Sequence, residues 1–390
     1  MLKYWLWLST RRGLGARGAY LVARHFASPE AAYYADEEAY KAIPGLRDRT
    51  GLMDKDLSLA EQIRIKCYNA GIGILTLQDA AYPERLRNID DPPLVLYYRG
   101  NLPDLNGPAV AVVGTREVSA YGATQARKMG YSISKCGCMV VSGGAKGADT
   151  EALKGALQGG TPSIAVLGGG VDVVYPIQNR DLFRDIAAYG CLISEYPPGT
   201  ECRASHFPAR NRIISGLSLG VLVVEAPERS GALLTARNAL DQGRDVFAVP
   251  ANVDSIACRG NLKLLRDGAI MVMDAWDVLQ EYARMYPEQI HRTVCKPIAR
   301  PTQKQEPVQQ LKLAEPVVDE ALQEKLSQLQ GDEKLLADLL TAGPMNVDTI
   351  VDEVQLPAGR VLASLTLLEV KGIVRRLGAR RYALANSTAE

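Results

Sequence analysis

The sequence predicts an α/β protein: a doubly wound, mostly parallel sheet with a helical module before it and a small helix-and-ribbon module after it. Three observations carry this reading. From Ala109 onward, short apolar runs rich in β-branched residues alternate with helical stretches: AVAVVG, MVVSGG, SIAVLGGG, CLISE, GVLVVE, DVFAVP and AIMVMD. These runs are hydrophobic throughout rather than alternating, as befits strands covered on both faces, and the strand–helix alternation implies parallel crossovers. A stretch rich in Pro, Gln and Lys, CKPIARPTQKQEPVQQLKLAEPVVDEA, then interrupts the hydrophobic pattern and reads as a linker.

With 390 residues, 47% of them hydrophobic, the chain is long enough for two or three domains and at least one sizeable core. Residues 1–101 read as helical: an amphipathic opening to Leu8, then GLGARGAYLVARHF, then helix-length stretches parted by Pro44-Gly45 and Gly51. Gly13-Leu14-Gly15 has the form that opens a helix-hairpin-helix, whose glycines bring backbone amides to a DNA phosphate; an ordinary helix–helix turn reads the same way. This module is expected to be sterile-alpha-motif-like or helix-hairpin-helix-like. Residues 102–283 form the Rossmann-like core and 284–330 the linker. In residues 331–390, EKLLADLLTA, NVDTIVDEV and GRVLASLTLLEVKG read as three helices and IVRRLGARRYAL as a ribbon turning at Gly378, the winged-helix order.

The 45 basic residues nearly cancel the 44 acidic ones, so any nucleic-acid site must be a local patch. The 7 cysteines form no C-x-x-C pair and no zinc spacing, which suits reduced thiols. The opening MLKYWLWLSTRRG holds an apolar run too short for a membrane span and is followed by no A-x-A-like cleavage site, so a cytoplasmic location and no membrane contact are expected.

Glycine-rich strand ends are the main binding signal: Gly114-Thr115-Arg116, Ser142-Gly143-Gly144-Ala145-Lys146-Gly147 and Gly168-Gly169-Gly170. At the carboxyl ends of parallel strands, glycines let backbone amides face an anion, and phosphate is the expected one. Tight turning alone is the competing explanation. GTREVSAYG is not G-x-G-x-x-G and SGGAKGADT lacks the G-K-[ST] ending, which disfavours a dinucleotide enzyme and a P-loop NTPase. In HFPARNRIISGLS, Arg210 and Arg212 flank Asn211, with His206 and Phe207 offering flat faces to unstacked bases, although an R-N-R is commonly a solvated or salt-bridged surface. Asp149, Asp172 and Glu195 are better read as helix caps or as partners of nearby arginines than as metal ligands or bases. With three histidines and no G-x-S-x-G or H-E-x-x-H, no catalytic residue, metal site or cofactor is expected. Lys371, Arg375, Arg376, Arg380 and Arg381 would give a wing able to straddle duplex phosphates; contact with protein is the equal alternative.

Taken in order, AVAVVGTREVSAYG, VSGGAKGADTEA, IAVLGGGVDVVYPIQNRDL, ISEYPPG, HFPARNRIISGLS, VVEAPERSGALLTARNAL and GRDVFAVP resemble the DNA-processing protein A family (DprA, also called Smf), from about Asp91 to Trp276. The resemblance implies a non-enzymatic single-stranded DNA binder that protects incoming DNA during natural transformation, or competence, and loads the RecA recombinase, acting as a homodimer through its core. It carries Arg116, Ser142, Gly143, Lys146, Gly168, Asn179, Arg210, Asn211, Arg212 and Ser230 over as the binding pocket. Gly114, Gly170 and Phe207 join them from the motifs themselves. Ala251, Ile177 and Ala204 depart from the pattern, the last two where a basic residue would suit a phosphate groove, and Arg180 and Arg203 next door could substitute. Two other readings compete. A Rossmann-like nucleoside monophosphate hydrolase would carry P-G-G-x-G-T-x-x-E where this chain has EAPERSGALLTARNAL, and a winged-helix transcriptional regulator would carry base-reading residues on its third helix.

Overall fold

The computed structural model describes residues 1–292, 325–341, 343–354, 356–377 and 381–385. All seven apolar runs form strands: β3 (Ala109–Val113), β4 (Met139–Ser142), β5 (Ser163–Val166), β6 (Cys191–Ser194), β7 (Gly220–Val223), β8 (Asp245–Ala248) and β9 (Ile270–Met271). Two further strands, β1 (Gly73–Thr76) and β2 (Val95–Gly100), complete a 9-stranded sheet of order β1-β2-β6-β5-β4-β3-β7-β8-β9. Strands β3 to β9 pair in parallel, with Val112 opposite Leu222 and Ala111 opposite Val141; β2 runs antiparallel to β6 and to β1.

The period of two along a strand divides the core. Ala111 and Val113 face a cluster with Ile213 and Ile214 of α10 (His206–Gly216) and Ala232, Ala236 and Ala239 of α11 (Gly231–Asp241). Val110 and Val112 face the other way, onto Ala126, Met129 and Ile133 of α7 (Ala120–Lys135) and Ala148, Ala152 and Ala156 of α8 (Ala148–Gly159). Helices on both faces explain why these strands lack polar alternation. Helices α7 and α8 meet backbone to backbone: a Cβ on Gly130 would lie 2.1 Å from the Ala152 carbonyl oxygen, and one on Gly155 2.1 Å from that of Arg127.

The helical reading of residues 1–101 holds only to Asn69. Helices α1 (Leu2–Ser9), α2 (Gly15–His25), α3 (Pro29–Tyr34), α4 (Glu37–Lys41) and α5 (Ser58–Asn69) are followed by β1, the short α6 (Glu84–Arg87) and β2. The expected boundary at 101/102 therefore cuts through the sheet. Trp5, Trp7 and Leu8 of α1 share one hydrophobic cluster with Val95 and Tyr97 of β2, Leu192 of β6 and Phe183 of α9 (Arg180–Tyr189), so the described residues 1–292 belong to one compact unit. The expected linker start at 284 also falls within this unit, because α13 (Ala275–Leu279) and α14 (Tyr282–Met285) lead to the buried Ile290. Gly13-Leu14-Gly15 makes the turn between α1 and α2 with positive φ at both glycines, and the Asp48 carboxylate lies against Gly13.

The second unit contains α15 (Gly331–Leu340), β10 (Met345–Asn346), α16 (Val347–Val354), α17 (Ala358–Val370), β11 (Val374–Leu377) and β12 (Arg381–Leu384). Leu336, Ile350, Val361, Leu365 and Tyr382 form its core. The expected winged helix is present, with β10 adding a third strand in the order β10-β12-β11. The turn expected at Gly378 lies outside the described residues. Among those described, no helix is long and apolar enough to cross a membrane.

Replacing Gly130 with valine should force α7 and α8 apart and cost on the order of 3 kcal/mol. Thermal and urea melting check this; an unchanged midpoint would show that the contact is dispensable.

Candidate nucleic-acid interface

The chain runs from β3 outward through β4, β5 and β6, then returns to the other side of β3 for β7 and β8. The carboxyl ends of β3 and β7 therefore flank the topological switch point, where such sheets bind ligands. Here the crevice is partly filled by the chain itself. Glu225, fully buried, accepts hydrogen bonds from Ser119 N (2.9 Å) and the Ser119 hydroxyl (2.5 Å) at the first turn of α7. A Cβ on Gly122 would lie 2.1 Å from its Oε2, so only glycine fits there. The helix end that would hold a pyrophosphate holds a carboxylate instead.

The second glycine loop is filled in the same way. Asp149 of α8 accepts from Ala145 N (3.3 Å) and from the amides of Gly114 and Gly143. Burial pushes its carboxyl up, opposed by the Arg210 guanidinium and those amides. At these three amides a carboxylate of the same chain stands where phosphate is the expected anion. Beside these amides, several side chains are placed to meet a ligand.

Those side chains line two adjoining cavities of about 460 and 490 Å³ that share Arg116, Ala145 and Phe207. Phe207, half-buried, is the wall between them. The Arg116 guanidinium sits 4.5 Å from its ring centroid and that of Arg210 5.8 Å away. Tyr175, 49% exposed, lies 6.0 Å from Phe207 with the rings inclined at 42°. A Cβ on Gly168 would come within 3.3 Å of the Phe207 ring, so this glycine lets the ring lie close against the loop after β5. His206 stacks on Tyr196 at 4.1 Å, and its Nδ1 lies 2.9 Å from the Gly168 carbonyl oxygen.

Of the expected residues, Gly114, Arg116, Gly143, Lys146, Gly168, Phe207, Arg210, Asn211 and Ser230 line this groove. Several act as framework. Ser142 is fully buried, donating to the Val112 carbonyl at 2.7 Å. Asn179 ties the second glycine loop down, donating to Gly144 O (2.9 Å) and Thr150 Oγ1 (2.8 Å). Gly170 packs against Gly199, Ser230 caps α11, and Asn211 donates to Gly231 O at 3.2 Å. Arg210, 4% exposed, donates to Val166 O at 2.9 Å and presses on Gly143. Arg180 and Arg203 are exposed but line neither cavity.

Arg212, expected in the binding pocket, lines neither of these cavities. It is 7% exposed, paired through Nη2 with both Glu195 oxygens (2.7 and 2.5 Å) and through Nε with Asp91 (3.2 Å). It lines a different cavity, of about 880 Å³, beside α2 and β2. In the second unit, Lys371 pairs with Glu333, Arg375 is half-buried, Arg376 is exposed, and Arg381 donates to Pro344 O at 3.4 Å. Arg380 lies outside the described residues. The sequence reading missed Tyr175, Gln178 and Arg229 in the groove and Glu225 beneath it. An aromatic in GGGVDVVYP, just past a glycine-rich strand end, was the available signal for Tyr175.

The family model for DNA recombination-mediator protein A matches residues 73–283, and that for the DprA winged helix domain matches residues 320–380. The chain belongs to the DNA recombination-mediator protein A family. The DprA match begins at Gly73, the first residue of β1, in agreement with the sheet rather than with a boundary at 101/102. Protein Smf of Synechocystis is 39% identical over 69% of this chain and 70% of its own length, and DNA processing protein DprA of Streptococcus pneumoniae 44% identical over 53% and 73%. The solved DprA structure from Streptococcus pneumoniae superposes with a TM-score of 0.62 at 36% identity, covering 72% of this chain and 98% of that one. That of the Helicobacter pylori protein, described for its single-stranded DNA binding mode, gives 0.50 at 28%, covering 56% and 97%.

Arg212→Ala leaves Asp91 and Glu195 without their counter-ion and should cost about 3 kcal/mol of stability, whereas Arg116→Ala should cost less than about 0.5 kcal/mol. Denaturant titration of the two variants checks the contrast, and equal midpoints would contradict it.

Proposed function

We propose that the chain binds single-stranded DNA across the carboxyl ends of β3, β4 and β5, without catalysing a reaction. The observation that carries this is the Arg116–Phe207–Tyr175 arrangement, two aromatic faces and a guanidinium side by side, with Lys146 exposed at the rim. Rings stack on any base and cations meet any backbone, so the site tolerates sequence and favours splayed strands over duplex. The non-catalytic reading is supported by how the nearby acids are engaged: Asp149 and Glu225 hold loops, Glu195 pairs with Arg212, and Asp172 accepts from Gly199 N at 2.9 Å. None of these four is left poised as a base, and Glu117, the other acid that lines the groove, is exposed. The hydrolase reading lacks its glutamate-bearing motif, and the regulator reading lacks a cluster of base-reading Asn and Arg side chains: α17 exposes Leu362, Leu367 and Val370, and its one arginine, Arg360, pairs with Asp332.

In the cell, this activity would protect incoming strands and pass them to the RecA recombinase during natural transformation. The relatives' names and the bound-strand description of the Helicobacter pylori protein support that role. Homodimerisation through the core is supported by β9, an edge strand with Ile270, Met271 and Met273 exposed at 46%, 53% and 67%. Among the described residues, Cys67, Cys138, Cys191, Cys202 and Cys258 are free thiols, which suits the reducing cytoplasm.

Arg116→Ala combined with Phe207→Ala should weaken binding of a short thymidine oligonucleotide at least roughly tenfold and flatten its salt dependence. Fluorescence anisotropy at fixed salt reads this, with unchanged melting as the control for folding; unchanged affinity would place the strand elsewhere. A fragment of residues 1–292 keeps the whole sheet and should bind within about tenfold of the full chain. A larger loss would make the winged helix part of the single-strand site.

A further inference from the structure

We propose a second binding site, for a phosphate-type oxyanion, in the cavity of about 360 Å³ lined by Arg85, Arg244, Tyr286, Asn88, Asn106 and Gln242. It lies at the opposite end of the sheet from the groove. Arg244 immediately precedes β8, Asn106 lies just before β3, and both strands run parallel with β7 between them, so this cavity opens at their amino ends.

Two guanidinium groups meet here without a counter-ion. Arg85 donates to Tyr286 OH (3.2 Å) and to the carbonyls of Leu105 (3.1 Å) and Gly107 (2.5 Å); Arg244 donates to the Arg85 carbonyl (2.9 Å). All these partners are neutral, and the Nε of each arginine is buried with no acceptor, while Gln242 Oε1 is buried with no donor. The acids nearby do not supply the missing charge. Glu84 sits at the rim with no ion pair to either arginine, Asp104 acts on Arg85 only as a weak field, and Asp245 is held by Tyr282 OH at 2.5 Å. Burial lowers both arginine pKa values, and Arg85 lowers that of Arg244 further, the mark of like charges confined together.

The charge and donor set select the ligand. A phosphate group carries about 1.5 to 2 negative charges at neutral pH and three acceptor oxygens, which balances two guanidinium groups and can take the Asn88 and Asn106 amides as well. A single carboxylate supplies one charge and leaves the pair half-neutralised. A backbone phosphodiester likewise supplies one charge, so the ligand is a phosphate monoester, either the terminal phosphate of a nucleic acid or a free phosphate-bearing small molecule.

The test is isothermal titration of the full chain with inorganic phosphate against chloride at matched ionic strength. Wild type and Arg116→Ala should both bind phosphate saturably, while Arg244→Gln should bind roughly tenfold more weakly. Absence of saturable binding to wild type, loss of binding in Arg116→Ala, or undiminished binding in Arg244→Gln would each overturn the proposal. Should Arg244→Gln melt early, the wild-type titration and a second variant, Asn106→Asp, which sets a negative charge in the cavity and should also weaken binding, decide the matter. Displacement of phosphate from Arg116→Ala by a 5′-phosphorylated thymidine oligonucleotide, and not by its unphosphorylated form, marks a nucleic-acid terminus as the source, and persistence of bound phosphate with both marks a free ligand. Because the groove variant retains this site, its failure is distinguishable from failure of the single-strand proposal.

Discussion

Glu225 accepts both hydrogen bonds that Ser119 offers at the switch point between β3 and β7, and its own carbonyl accepts Thr115 N at 2.7 Å. One residue thus anchors the loop carrying Arg116 at both of its ends. A doubly wound sheet ordinarily leaves the helix terminus after its first strand open to an anionic ligand. With that terminus filled by a buried carboxylate, a nucleotide phosphate has no place there. The loop becomes a rigid lip instead, delivering the Arg116 guanidinium onto the Phe207 ring.

The same substitution of internal for external charge recurs along the crevice. Asp149 takes the amides of the second glycine loop, Arg210 braces that loop from beneath, and Arg212 joins Asp91 and Glu195. Removing one member of such a buried group strands the others, which makes these residues framework rather than contact surface. The groove above them keeps what a sequence-tolerant single-strand site requires: flat rings, exposed cations and few directional acceptors.

The main sheet was legible in the sequence because strands covered on both faces cannot alternate, and Val110 to Val113 or Val221 to Val224 have no helical alternative of that length. Strands β1 and β2 were not. GILT and VLYYRG sit among helix-length stretches, and β2 keeps a hydrophobic run only over its first residues, as its burial shows. For the site, glycine at strand ends was readable, but not what the freed amides bind, since that depends on the Asp149 and Glu225 side chains. Arg212 in R-N-R was misplaced for a similar reason. The text of a sequence does not distinguish an arginine that meets solvent from one that meets two carboxylates brought in by β6 and by the segment before β2.

The central claim is that the strand lies against Phe207 and Tyr175, above a framework closed by Glu225 and Asp149. Ultraviolet cross-linking of a thymidine oligonucleotide to the full chain, followed by mapping of the modified peptides, tests it most directly. Cross-links confined to the segments 168–178 and 203–210 are the predicted result. Cross-links concentrated in 371–385, with these segments unmodified, would contradict the account.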